Sequence, residues 1–200
     1  MLNILLAGIG GQGTVLAAKL LAQAAQEKGW AVRTAETIGM AQRGGNVTSH
    51  VRMADGSEDA QSSLLATGTA DLIVAFEPGE AARVLPYLAP EGTLVTATTP
   101  IQPVTAALSK APYRSEDVIA NLRASLDGSP AELVVVDDRA VLDKVGTVRA
   151  LNTVLLAAAL NTGCLPLTLD DLRNAIRVCV KPRFVDLNLA AIDAVASPED

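Results

Sequence analysis

Aromatic side chains are nearly missing from this chain: one Trp, two Tyr and two Phe in 200 residues. Trp30, Phe76, Tyr87, Tyr113 and Phe184 are too few and too scattered to make stacking platforms for bases, so Ala, Val, Leu and Ile must fill the core. Cysteine is as scarce. Cys164 and Cys179 stand 15 positions apart with no CxxC, and His50 is the only imidazole. A metal or cluster site held by this chain alone is therefore not expected, and two small core residues in a reducing compartment are the favoured reading. Basic residues are outnumbered, 16 against 22 acids, for a net charge of −6 without any dense Lys/Arg run. That balance excludes a surface built to neutralise many phosphates, hence nucleic-acid binding. The longest apolar stretches, such as 154–160, fall far short of the roughly 20 residues that cross a bilayer. No basic region precedes the apolar N-terminus, which fits a first strand better than a removable signal, so a cytoplasmic location is expected.

What is present is a chain of 50% hydrophobic and 19% charged residues, suited to a single domain over residues 1–200 with a sizeable core. Strand-like runs alternate with helical periodicity: strands near 2–7, 31–36, 47–53, 71–76, 92–99 and 132–137, helices near 13–28 and 79–88. Pro78 suits a helix start, and Ser115 before Glu116 and Asp117 reads as an N-cap. From about residue 139 the pattern is mostly helical, with a capping box at Thr168–Asp171 and Leu169, Leu172, Ile176 and Cys179 at helical spacing. This predicts an α/β fold, a three-layer Rossmann-like sandwich with a mostly parallel sheet and a helical C-terminal part. In 47–53, Val47, Ser49, Val51 and Met53 alternate with Thr48, His50 and Arg52, which predicts a hairpin or edge strand with one polar face. Residues 54–70 read as a long surface excursion.

Two glycine turns carry the chemistry. Gly8-Ile9-Gly10-Gly11-Gln12-Gly13 follows the first strand and opens a helix, a place where backbone N–H groups receive anions. Gly39-Met40-Ala41-Gln42-Arg43-Gly44-Gly45 follows the second strand and emerges at the same edge if the two strands are parallel. Gly8, Gly10, Gly11, Gln12, Gly13, Gln42, Arg43, Gly44 and Gly45 are thus the candidate ligand-binding residues, with Arg43 able to pair bidentately with phosphate or carboxylate; the plain alternative is a tight turn and a solvated arginine. Glu36, 23 positions after Gly13, keeps open a self-sufficient NAD(P)-binding oxidoreductase holding the ribose there. His50 has no nucleophile to activate and reads as structural. Asp127-Gly128 with Asn152 has the outline of a thiamine diphosphate and magnesium motif, but the pair ends a helix where that motif needs a strand end.

These turns, with Val47, Ser49 and His50 and the tail Lys181-Pro182-Arg183-Phe184-Val185-Asp186-Leu187-Asn188, resemble the gamma-type domain of 2-oxoacid:ferredoxin oxidoreductases over about residues 2–190, most closely the beta subunit of the indolepyruvate enzymes. The resemblance implies oxidative decarboxylation of a 2-oxoacid, with coenzyme A and oxidised ferredoxin giving acyl-CoA, carbon dioxide and reduced ferredoxin. It implies that thiamine diphosphate, magnesium and iron–sulfur clusters sit in a larger partner subunit and that ferredoxin is reached through the complex. This chain would supply no catalytic residue and no metal ligand, would be inactive alone, and would offer its loops to the partner, with CoA a candidate ligand where the two meet.

Overall fold

The computed structural model describes residues 1–39, 45–56, 62–101 and 113–196. Among them, six strands form one sheet: β1 (Leu2–Ile9), β2 (Ala31–Ile38), β3 (Asn46–Ala54), β4 (Ala70–Ala75), β5 (Leu88–Ala97) and β6 (Glu132–Val136), in the order β2-β3-β1-β4-β5-β6. β1, β4, β5 and β6 run parallel, whereas β3 is antiparallel to both of its neighbours. β2 and β1 therefore point the same way, and the turns that follow them reach the same edge.

Among the described residues, seven α-helices cover both faces: α1 (Thr14–Glu27), α2 (Pro78–Val84), α3 (Ser115–Leu126), α4 (Asp138–Val145), α5 (Leu151–Asn161), α6 (Leu169–Cys179) and α7 (Val185–Ala196). One core joins Ile4, Leu6, Leu72, Val74 and Phe76 to α1, α5, α6 and α7; a smaller one joins Leu5, Ala7, Ile73 and Leu94 to α2 and α3. Covering on both faces explains why the parallel strands read as unbroken apolar runs. α5 is buried almost throughout, while α7 packs on α4, α5 and α6. No helix among the described residues is long and apolar enough to cross a membrane.

Of the two readings of 47–53, the hairpin holds: β3 pairs antiparallel with β2 and with β1, and the edge strand on that side is β2. The polar side of β3 is not solvated. Thr48 and His50 are buried, Thr48 Oγ1 accepts from Arg83 Nη2 at 3.1 Å, and the Leu65 amide donates to His50 Nδ1 at 3.2 Å. Residues after 61 lie over this side of the strand, so the period-2 pattern marked hydrogen bonding inside the protein and not exposure. At α3 the cap position is Arg114, with Ser115 the first, buried helical residue. The capping box at Thr168 forms as expected, Thr168 Oγ1 accepting from the Asp171 amide and the Asp171 carboxylate from the Thr168 amide.

Candidate ligand-binding cleft at the carboxyl edge

The turn after β1 is built by Gln12 folding back on its own strand. Gln12 Oε1 accepts from the Ile9 amide at 2.7 Å and Nε2 donates to the Phe76 carbonyl at 2.9 Å, which ties the ends of β1 and β4 together. Gly8 makes room for this. A Cβ there would stand 2.9 Å from Gln12 Oε1 and 3.1 Å from Phe76 Cβ. Gly13 caps α1 with φ of 88°, without a side-chain cap and with no acid in the first turn. The first amides of a 14-residue helix thus face the carboxyl edge of the sheet with their donors and the positive end of the dipole available. Left-handed backbone at that cap favours glycine.

The second turn meets the first. The Gly10 amide donates to the Gly45 carbonyl at 2.9 Å, and the Gly39 amide to the Asn46 carbonyl at 2.8 Å. Gly8, Gly10, Gly11, Gln12, Gly13 and Gly45 therefore come together, whereas Gln42, Arg43 and Gly44 lie outside the described residues. Of the six, Gln12 spends its amide on the backbone, and Gly10 and Gly11 are exposed.

Gly11 and Gln12 form one wall of a cleft of about 370 Å³, whose other walls are Phe76 and Thr99 with Ile101, and the stretch from Asp138 to Leu151. The cleft runs along the carboxyl ends of β1, β4, β5 and β6 and takes in the gap between β1 and β4, where connections leave to opposite sides of the sheet and ligands of open α/β folds bind. Asp138, 2% exposed, fixes the far side: its Oδ1 accepts from the Thr98 and Thr99 amides at 2.9 and 3.0 Å and from Thr98 Oγ1 at 3.0 Å. The Thr99 hydroxyl is buried without a partner. Arg139 and Arg149 line the cleft, and Val148 stands 78% exposed at its rim. Arg139 also borders an adjoining cavity of about 420 Å³ with Arg114 and Tyr113. Tyr113 donates to the buried Glu77 carboxylate, and burial together with that carboxylate pushes its phenol well above the usual tyrosine range. Thr99, Asp138, Arg139 and Arg149 had no motif to announce them; the usable signal was their position just past β5, past β6 and before α5, at the carboxyl ends of parallel strands.

The remaining candidates have structural places. Glu36 lies on the edge strand with β3 between it and β1, two strand spacings or about 10 Å from the glycine turn's strand. A dinucleotide fold needs its ribose acid on the strand beside β1, so the hairpin breaks that geometry. Asn188, in the tail motif, donates through Nδ2 to the Phe184 carbonyl at 2.7 Å and accepts from Thr153 Oγ1 at 2.5 Å, fastening α7 to α5. Asp127-Gly128 ends α3. Burial pushes both thiols, Cys164 and Cys179, up, and among the described residues no three His, Cys, Asp or Glu side chains come together as a metal site.

The profile of the pyruvate ferredoxin/flavodoxin oxidoreductase family matches residues 3–197. The chain is 36% identical over 192 residues to the indolepyruvate oxidoreductase subunit IorB of Pyrococcus horikoshii, covering 96% of this chain and 92% of that one. Among solved structures, the pyruvate oxidoreductase subunit PORC of Thermotoga maritima shares the fold with a TM-score of 0.68 at 22% identity, over 98% of this chain and 96% of that one. The 2-oxoglutarate:ferredoxin oxidoreductase of Magnetococcus marinus, solved with 2-oxoglutarate, coenzyme A and succinyl-CoA bound, shares it with a TM-score of 0.70 at 19% identity, over 98% of this chain and 30% of that much longer one. This chain belongs to the pyruvate ferredoxin/flavodoxin oxidoreductase family and is a small subunit of a 2-oxoacid:ferredoxin oxidoreductase.

Proposed function

We propose that the subunit contributes a CoA-binding cleft and a docking face to a cytoplasmic oxidoreductase that acts on a 2-oxoacid of the arylpyruvate type, and that a larger partner does the redox chemistry. The observation that carries this reading is the Gly10–Gly45 hydrogen bond, which closes two glycine turns over the uncapped N-terminus of α1. A CoA pyrophosphate laid there meets backbone N–H groups and the positive end of the helix dipole, and the surrounding loops meet the partner. Gln42, Arg43 and Gly44, which stand between Gly39 and Gly45 in sequence, are assigned to the same proposed site.

The donor set of this chain does not fit a redox centre. Cys164 follows α5 beside Thr93 and Glu132, while Cys179 ends α6 near Lys19 and Glu27; two thiols in such different surroundings do not make the four-thiolate cage that a cluster ordinarily takes. The helix-ending Asp127-Gly128 does not supply a diphosphate–magnesium strand end either. Thiamine diphosphate, magnesium and iron–sulfur clusters are accordingly assigned to the partner, which also passes electrons to ferredoxin. What this chain's own residues do is bind and orient: Gln12 and Asp138 hold the two lips of the cleft in fixed register.

Calorimetric titration of the assembled enzyme with CoA and with NAD tests the proposal. CoA binding that a bulky Gly11→Trp replacement blocks is the expected result. Tight NAD binding, or CoA binding untouched by that replacement, would overturn it.

A further inference from the structure

β2 closes one side of the sheet, and among the described residues no strand pairs with its outer side. The direction of its free backbone groups follows from the hairpin. The Gly39 amide donates to the Asn46 carbonyl at 2.8 Å, so in the register that pairs Ala31 with Ala54 and Ile38 with Val47 the hydrogen-bonded pairs fall on the odd-numbered residues of β2. Val32, Thr34, Glu36 and Ile38 therefore turn their N–H and C=O groups outward. The edge is not blocked: its eight residues hold no proline and no lysine, and the pairing with β3 runs through all of them without a bulge. Such a strand is a template for another. Along the same face runs a groove of about 350 Å³, lined by Val15, Lys19 and Gln23 of α1 and by Thr34 and Glu36 of β2. Ile38 and Val15 are 66% and 48% exposed, and neither Lys19 nor Glu36 has a hydrogen bond or an ion pair among the described residues.

We propose that β2 pairs antiparallel with β2 of a second copy of this chain about a two-fold axis at Ala35, which joins the two sheets into one. The occupant is a second copy because the strand is complementary to itself. With Ala35 opposite Ala35, Val32 meets Ile38 and Thr34 meets Glu36 of the other copy, and every outward N–H and C=O of β2 is paired. Directly opposed side chains stand about 5 Å apart, so Val32 of one copy covers the exposed Ile38 of the other. Glu36 of each copy arrives beside Thr34 of the other, in the groove that holds the unpaired Lys19; the two Glu36 carboxylates, diagonal neighbours across the axis, are each offset by a Lys19. Other registers fail. Centring on Arg33 or on Glu36 sets like charges opposite each other, and centring on Thr34 carries Ile38 past the end of the partner strand. The contact uses one patch on both copies, so it closes at a dimer. The carboxyl edges of the two copies then point in opposite directions, and each cleft stays open to its own larger partner.

Sedimentation velocity of the full chain and of the assembled enzyme tests the pairing. The chain is expected at twice its mass of 20.6 kDa, and the assembled enzyme is expected to hold two copies. Thr34→Pro takes away an outward N–H without touching the hydrogen bonds to β3. It should raise the dimer dissociation constant by about tenfold or more, the size of the one or two ladder hydrogen bonds lost. Glu36→Lys, at an exposed position, should weaken the dimer as well by setting like charges around Lys19, and adding Lys19→Glu should restore it. An unchanged circular dichroism spectrum verifies that the variants fold. A chain that sediments at its single-copy mass at all concentrations, or a dimer that both single variants leave intact, would overturn the proposal. Hydrogen exchange tells a second copy from a strand lent by the larger subunit. Protection of the amides of Val32, Thr34, Glu36 and Ile38 only when that subunit is present, in a chain that is monomeric alone, would overturn the pairing of two copies.

Discussion

Replacing Gln12 by Ala removes both ends of a brace. The Ile9 amide loses its 2.7 Å acceptor and the Phe76 carbonyl its 2.9 Å donor. A polar group left unsatisfied in a partly buried site costs about 1–3 kcal/mol. Water reaches this turn through the exposed Gly10 and Gly11, which keeps each group toward the low end, so the pair is worth about 3 kcal/mol. For a domain of this size that lowers Tm by about 6–12 °C. Thermal denaturation followed by circular dichroism reads it directly. Gln12→Glu keeps an acceptor for Ile9 but sets a carboxylate against the Phe76 carbonyl, so it should melt close to Gln12→Ala at neutral pH and regain stability when the carboxyl is protonated. Gln12→Met keeps bulk only and should rescue little. A Gln12→Ala protein that melts within about 1 °C of wild type while its CoA affinity collapses would refute the brace and make Gln12 a ligand contact.

Asp138→Ala should destabilise by about 2–4 kcal/mol, since three donors from Thr98 and Thr99 lose a charged acceptor; a urea midpoint shift with unchanged slope checks it, and hydrogen exchange should speed up at residues 98–99. His50 gives the fold an acid-sensitive point. Its Nδ1 must stay unprotonated to accept from Leu65, and burial holds its pKa below the ordinary 6.5. The unfolded chain thus takes up this proton first, so the contribution of His50 is intact above pH about 6.5 and is lost as pH falls through that value toward the folded pKa, with a slope of at most about 1.4 kcal/mol per pH unit. Stability measured by urea from pH 7.5 to 5 should show this slope in the wild type and a shallower one in His50→Gln.

β1, β4 and β5 were legible because burial on both faces leaves an apolar run that little else produces; the edge strand β6 carries a similar run over 133–136, although only Val136 of it is buried. The hairpin was half legible. Alternation in 47–53 identified a strand, but period alone does not say whether the polar side meets water or a covering segment, and His50 meets Leu65. The glycine turns could be read because Gly8 and Gly13 answer to local constraints, close approach of Gln12 and left-handed backbone. The far wall of the cleft could not. Thr99, Arg139 and Arg149 belong to segments joined only by the topology, and their residue types are unremarkable in a chain with 16 basic side chains. The Glu36 alternative failed for a related reason: spacing in sequence matched a dinucleotide fold, while an inserted antiparallel strand moved the acid one strand too far.

Whether labour is divided between two chains is read from 2-oxoacid- and CoA-dependent ferredoxin reduction by the purified subunit, by its larger partner, and by the two recombined. A colourless, inactive small subunit, a partner that holds the iron, and CoA-dependent turnover only on recombination are the expected results. Ferredoxin reduction or bound iron in this chain alone, or full CoA-dependent turnover by the partner without it, would show that the labour is not divided in this way.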